Sequence, residues 1–201
     1  AGLGSLPGTA AEILDVDIRK QLTRNKLTTE EWIDIITTAH SLGIKTTSTI
    51  MYGHVDGPKD WVNHLSLIRD IQRDTGGFTE FVPLGFVHQN APIYLDGTAR
   101  SGPTVEENLR MHAISRIMLY GYISNIQVSW VKLGPSLAQQ CLRAGANDFG
   151  GTLMDETISR SAGSKHGQYM VPNQFKKLIR EIGRIPAQRN TLYELIDGSS
   201  K

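Results

Sequence analysis

Four times along this chain a short run of strand-forming residues is followed by a longer run with apolar side chains at helical spacing. The strand patterns are IKTTSTIMYGH (residues 44–54), FTEFVPLGFV (78–87), NIQVSW (125–130) and GANDFGGTLM (145–154). β-Branched and aromatic residues favour the pleated backbone, whereas the runs between them repeat at the period of a helix. Regular alternation of this kind means parallel strands joined by crossover helices. Four strands are too few to close a barrel, which takes about eight. The chain is therefore either a small open α/β sheet or half of a larger barrel.

The helical runs carry their own start and stop signals. Thr9 and Glu12 follow a glycine-rich opening loop, ending in Pro7 and Gly8, at the spacing of a capping box. Glu12 reads either as that cap or as a ligand contact. Thr28 and Glu31 repeat the spacing before a helix with Trp32, Ile36 and Ala39 on one face, stopping at Gly43. Pro58 opens a third helix with Trp61, Leu65 and Ile68, ending at Gly76 and Gly77. Thr104 and Glu107 cap a fourth, read through Val105, Leu109, Ala113 and Ile117. A helix around residues 136–143 and one marked by Phe175, Leu178, Ile179 and Ile182 complete the set. His40 and His64 read as packing residues of these helices.

Within residues 44–54, Thr47 and Thr49 share a polar face, and Ile44, Ile50 and Met51 are the large apolar positions. Gly53 frees the backbone to turn or to approach a ligand. His54 then stands at the strand's exit, where α/β folds place ligands; the alternative is an ordinary loop or capping residue. In residues 78–87, a buried Glu80 needs a partner. Pro83 implies that the strand ends or bulges near a pocket, because proline cannot donate to a ladder. Gln127 and Ser129 share one face of residues 125–130 with Asn125. Residues 88–104 are polar and rich in Pro and Gly, the composition of a functional or disordered connection. Residues 184–189 read as an irregular tail and 197–201 as disordered, leaving 1–196 as one domain. Each strand ends in a small or polar cluster: Tyr52-Gly53-His54, Pro83-Leu84-Gly85, Ser129-Trp130 and Gly150-Gly151-Thr152. Parallel strands would bring these clusters to one rim.

Composition narrows the partners. With 21 basic and 20 acidic residues among 201, net charge is +1, so no nucleic acid or other polyanion is implied. Charge, Gly or Asn interrupts every apolar stretch, so neither a membrane span nor a secretory segment is expected, and the expected location is cytoplasmic. The single Cys141 excludes an internal disulfide and any multi-cysteine metal site made by this chain alone; it reads as a small buried residue on a helix. There is no GxGxxG after a strand, no phosphate-loop motif and no HExxH. The chain opens AGLGSLPG, without Met and with no strand pattern before it, which suggests a piece of a longer protein.

Taken together, SLPGTAAEIL (5–14), TTSTIMYGHV (46–55), TGGFTEFVPLGFVH (75–88), AP-x-Y (91–94), NIQVSWVKLG (125–134) and NDFGGTLMDETISRSAG (147–163) resemble the tyrosine-using subunit or domain of FO synthase. The resemblance runs from Gly2 to about Tyr193. It implies the C-terminal half, strands 5 to 8, of a radical S-adenosylmethionine (βα) TIM-type barrel. It also implies a [4Fe-4S] cluster held by an N-terminal Cys-x3-Cys-x2-Cys motif that reductively cleaves S-adenosylmethionine. The resulting radical would oxidise L-tyrosine, whose 4-hydroxybenzyl group joins 5-amino-6-(D-ribitylamino)uracil on the way to a deazaflavin. This sequence has no such cysteine triad, so by the resemblance the cluster loop belongs to a part upstream, and these 201 residues alone would not cleave S-adenosylmethionine.

The same resemblance assigns residues. Thr49, Met51, Tyr52, Gly53, His54, Pro83 and Leu84 would flank the S-adenosylmethionine. Ser5, Thr9, Glu12, Glu80, Gln127, Ser129, Asn147 and Asp148 would contact the amino acid and the ribityl-uracil, whose hydroxyls suit amide and carboxylate partners. Trp130, Met51 and Phe86 would wall the site, or simply pack. A companion FO synthase subunit or domain is the implied partner. Two other readings stand beside this one: a menaquinone-pathway enzyme of the same superfamily (aminofutalosine synthase or dehypoxanthine futalosine cyclase), and a non-catalytic half-barrel module.

Overall fold

Parallel pairing in sequence order organises the chain. The structure, a computed structural model, describes residues 2–8, 11–23, 25–153, 157–166 and 169–196. Its strands are β1 (Ser5–Leu6), β2 (Lys45–Tyr52), β3 (Phe78–Gly85) and β4 (Asn125–Ile126), hydrogen-bonded in the order β1-β2-β3-β4 and all parallel. A single parallel bridge from Gln127 to Asp148 extends the sheet beyond β4. The helices are α1 (Val16–Leu22), α2 (Thr29–Ser41), α3 (Pro58–Thr75), α4 (Pro92–Leu95), α5 (Val105–Leu119), α6 (Trp130–Ala144), α7 (Thr157–Ser161) and α8 (Pro172–Glu181). Among the described residues the fold is α/β with a four-stranded parallel sheet, an arrangement that fits part of a TIM-type barrel.

Local chemistry explains the well-formed elements. The Thr28 hydroxyl accepts from the Glu31 N–H while the Glu31 carboxylate accepts from the Thr28 N–H, and Thr104 and Glu107 do the same for α5. Pro58 opens α3, and Gly76, at φ 61°, closes it. The face that α2 and α3 bury, with Trp32, Ile36, Trp61, Leu65 and Ile68, meets Ile50, Tyr52 and Phe81 of the sheet in one core. A second core joins Ile126 and Val128 to Val131, Ala138 and Cys141 of α6 and to Phe175 of α8. Among the described residues, no helix is long and apolar enough to cross a membrane.

In six places the structure departs from the sequence reading. First, no helix starts around Glu12: its φ is 44°, and α1 begins at Val16 with the Asp15 carboxylate as its cap. Thr9, the other half of the expected box, lies outside the described residues, as does the expected tail 197–201. Second, the opening loop itself supplies β1, whose Ser5 and Leu6 pair with Lys45 and Thr46. Third, β3 does not end at Pro83 but continues to Gly85. Pairing with β4 stops at Phe81, so from there on β3 has a strand partner on one side only and a missing N–H is tolerated.

Fourth, α5 buries Asn108, Met111, His112, Ser115 and Leu119, leaving Val105 and Ile117 exposed. Its buried face is the polar-looking one, because Asn108 receives the Tyr52 hydroxyl at 2.6 Å and Ser115 bonds back to Met111. Fifth, the last two expected strands shrink to two residues and one bridge. Trp130 begins α6, which kinks at Gly134 (φ 75°, ψ 161°) before Pro135, and residues 145–153 are otherwise irregular. Sixth, residues 88–104, expected to lack structure, contain α4.

Candidate active site at the C-terminal edge of the sheet

The register sets which strand ends share an edge. Tyr52 pairs with Gly85 and Met51 with Leu84, while Gln127, just past β4, bridges to Asp148. The exits at Gly53, Phe86, Ser129 and Gly150 therefore lie on one edge of the sheet. Side chains alternate across it. Ile50, Tyr52 and Phe81 enter the helix-side core, so Thr49, Met51, Glu80, Val82 and Leu84 take the opposite, concave side. Tyr52, placed beside the cofactor by the resemblance, points instead into the core, where burial pushes its hydroxyl's pKa well up.

The opening loop lies along that concave side. Gly8 donates its N–H to the Thr47 hydroxyl at 2.8 Å and accepts from the Thr49 hydroxyl at 3.0 Å. A Cβ at residue 8 would sit 1.8 Å from the Thr47 carbonyl oxygen, so only glycine fits. Four residues on, the Glu12 carbonyl accepts from the Met51 N–H at 2.7 Å, and its carboxylate pairs with Lys26. Glu12 thus reaches the rim. Ser5 does not: it pairs with Lys45 at the start of β2, about 25 Å of strand away from Gly53.

At the exit of β2 the backbone turns on Gly53 (φ 90°), packed against Pro103. The Asp56 carboxylate, which the sequence reading passed over, receives the N–H groups of Gly53 and His54 at 2.8 and 2.6 Å and the Trp61 indole N–H. His54 is buried beside it. Its Nε2 lies 2.9 Å from the Met51 carbonyl, and its Nδ1 lies 2.8 Å from the Val55 N–H and 3.0 Å from the Asp56 carboxylate. Burial lowers its pKa, against the raising effect of Asp56. Both nitrogens are used within the turn, so His54 shapes the rim from below.

The remaining expected contacts divide into two groups. Gln127 and Ser129 are half-buried, and their side chains make no hydrogen bond to the described residues. Glu80, Asn147 and Asp148 already have partners. Asn147 accepts from the Ile126 N–H and from Arg116, both at 2.8 Å, tying β4 to α5. Asp148 accepts from the Gly150 N–H at 2.7 Å and pairs with Arg189. Glu80 lies 3.4 Å from the same guanidinium; desolvation raises its pKa, opposed by the Tyr193 hydroxyl and Arg189. Arg189 and Tyr193 were not anticipated. The signal was an unpartnered Glu80 in the sequence, with nothing to say which distant residue would meet it.

No group of His, Cys, Asp and Glu among the described residues is arranged to hold a metal ion. Cys141 is buried in α6, and burial pushes its thiol up to about 12. One such thiol does not fit an iron-sulfur cluster, so no step of the chemistry is assigned to one here.

An open parallel sheet whose strand exits form one polar, glycine-rich rim is the architecture of a ligand-binding βα unit. The chain belongs to the family described as CofH/MqnC C-terminal region, whose model matches residues 75–201. It is 57% identical over 98% of its length to the 5-amino-6-(D-ribitylamino)uracil--L-tyrosine 4-hydroxyphenyl transferase of Methanocaldococcus jannaschii, covering 55% of that protein. A transferase of the same name from Methanothermobacter thermautotrophicus is 56% identical, 54% of it being covered. The FO synthase of Mycobacterium leprae is 58% identical over 97% of this chain and 23% of its own length. The chain thus spans about half of the methanogen transferases and about a quarter of the synthase.

Proposed function

We propose that this chain forms the C-terminal half of a radical S-adenosylmethionine (βα) barrel that transfers the 4-hydroxybenzyl group of L-tyrosine to 5-amino-6-(D-ribitylamino)uracil. The observation that carries the reading is 57% identity to a transferase so named, sustained over 98% of the chain and hence across every strand exit of the rim. In this reading Thr49, Met51, Gly53 and Leu84, with the backbone at Pro83, whose ring alternates to the helix side with Phe81, flank S-adenosylmethionine, which when bound supplies the hydrogen-abstracting chemistry.

The chain's own contribution is placement and exclusion of water. Met51 and Leu84, paired across β2 and β3, offer an apolar wall on the concave side. Gln127 and Ser129, with hydrogen-bonding capacity unspent, suit the ribityl hydroxyls and the uracil edge. Glu12 is held at the rim by its own carbonyl, and its carboxylate, paired with Lys26 through one oxygen, has the other for an ammonium or hydroxyl group. Asp56 fixes the Gly53-His54 turn on which the β2 wall ends.

The test uses the longer protein, with its cluster-bearing part reconstituted. Incubation with tyrosine and the ribityl-uracil should give the coupled product, and futalosine derivatives should give none. Turnover of futalosine derivatives instead would move the chain to the menaquinone-pathway side of the family.

A further inference from the structure

The segment after α8 is held to the sheet by charge and not by its apolar residues. Ile185, Leu192, Leu195 and Ile196 are 81, 65, 58 and 56% exposed, so apolar burial contributes little to holding it. The segment is ordered from within: Arg189 and Leu195 form an antiparallel bridge, and the Asn190 side chain accepts from the Leu192 and Glu194 N–H groups. Its attachments are polar. Arg184 donates to the Ala146 carbonyl at 2.9 Å, Arg189 pairs with Asp148 and with Glu80, and Tyr193 stacks under the Arg189 guanidinium at 4.2 Å. A cavity of about 480 Å³ remains between this segment, α8 and residues 147–152.

Where Arg189 attaches is informative. Glu80, the third residue of β3, pairs with Asn125, the first residue of β4, so this contact lies below the rim. Asp148 bridges to Gln127 on the far side of β4. One guanidinium therefore spans three strands from the concave face, a width of about 10 Å if the sheet were flat.

We infer that Arg189 is a positioning residue: with Tyr193 stacked on it, it ties Glu80 of β3 to Asp148 beyond β4, and so fixes the spacing of Leu84 and Gly150 at the rim. Glu80 and Asp148 are then anchors for the strap and not substrate contacts. The inference rests on the proposed reaction only for its effect on turnover.

The experiment compares Arg189→Met, Arg189→Lys and Tyr193→Phe in the longer protein by hydrogen exchange, followed by kinetics. Arg189→Met should speed exchange about tenfold in residues 184–196 and also in the rim segments 82–88 and 127–130. Arg189→Lys should fall between it and the unaltered protein. KM for the ribityl-uracil should rise at least fivefold, with kcat changing less. Faster exchange confined to 184–196, or an unchanged rim, overturns the inference. If Arg189→Met does not fold, Tyr193→Phe, which removes one hydroxyl, carries the same comparison with the same two outcomes. Exchange needs no turnover, so an unaltered protein that makes no product counts against the proposed reaction while the strap is still decided.

Discussion

The unit from β2 to β3 and the region from residue 145 onward face the same concave space but are held by different physics. In the first, strands of eight residues put Ile50, Tyr52 and Phe81 against Leu65 and Ile68 of α3, all essentially inaccessible to water. In the second, the strand has become one bridge at Asp148, and side-chain ion pairs and hydrogen bonds take over from the ladder. Apolar packing is insensitive to pH and strict about volume. Charged anchoring is tolerant of volume and depends on the state of each ion. The first region is thus a fixed wall, and the second is adjustable.

The largest test of that contrast is truncation of the core. Leu65→Ala should cost about 3 kcal/mol of stability by denaturant unfolding, whereas Leu192→Ala, in the exposed strap, should stay within about 0.5 kcal/mol. Comparable losses would end the distinction. Next is backbone approach. Gly8→Ala should cost about 2 to 3 kcal/mol, because its Cβ would meet the Thr47 carbonyl, and Gly151→Ala, with open space around it, should change the thermal midpoint by no more than a degree or two.

Acid reaches the packed region through its buried histidines and not through its apolar contacts. Burial lowers the pKa of His64 to about 3 and that of His112 to about 4, both below the ordinary 6.5. The unfolded chain therefore binds protons that the folded chain refuses, and stability, complete above pH 6.5, declines as pH falls toward these values. His64 accepts from the Leu14 N–H and lies 3.1 Å from the Thr49 carbonyl, contacts that a glutamine amide can imitate without titrating. His64→Gln should remove about 2 kcal/mol of the loss between pH 6.5 and 4.5; an unchanged acid limb would show that His64 is not its source. Smallest is the capping box of α2, where Thr28→Ala should lower stability by about 1 kcal/mol with the unfolding slope unchanged.

How far the sequence could be read follows the same division. The four elements from α2 to β3 were legible because their signals are local: β-branched runs, a capping box at Thr28, Pro58 and Gly76 at the ends of α3. The polar face of α5 was misread because apolar spacing picked Val105 and Ile117, while burial went to Asn108, which receives the Tyr52 hydroxyl, and to His112, whose Nδ1 lies 2.7 Å from the Asn108 carbonyl of the same helix. The rim was legible as a set of strand exits, since parallel order follows from alternation alone. Which of its residues are free for a ligand was not. His54, Asn147 and Asp148 look available in the sequence and are spent within the fold, on contacts with Met51 and Val55, with Arg116 and with Arg189.

The central claim is that the C-terminal edge of this parallel sheet, and not its other end, faces the cofactor. Calorimetric titration of S-adenosylmethionine into the longer protein tests it directly, with tryptophan placed at Met51, near the C-terminal end of β2, or at Ser5 of β1, which pairs with Lys45 at its N-terminal end. Met51→Trp should weaken binding at least tenfold while Ser5→Trp leaves it unchanged. Weakened binding in Ser5→Trp with Met51→Trp unaffected would contradict the account.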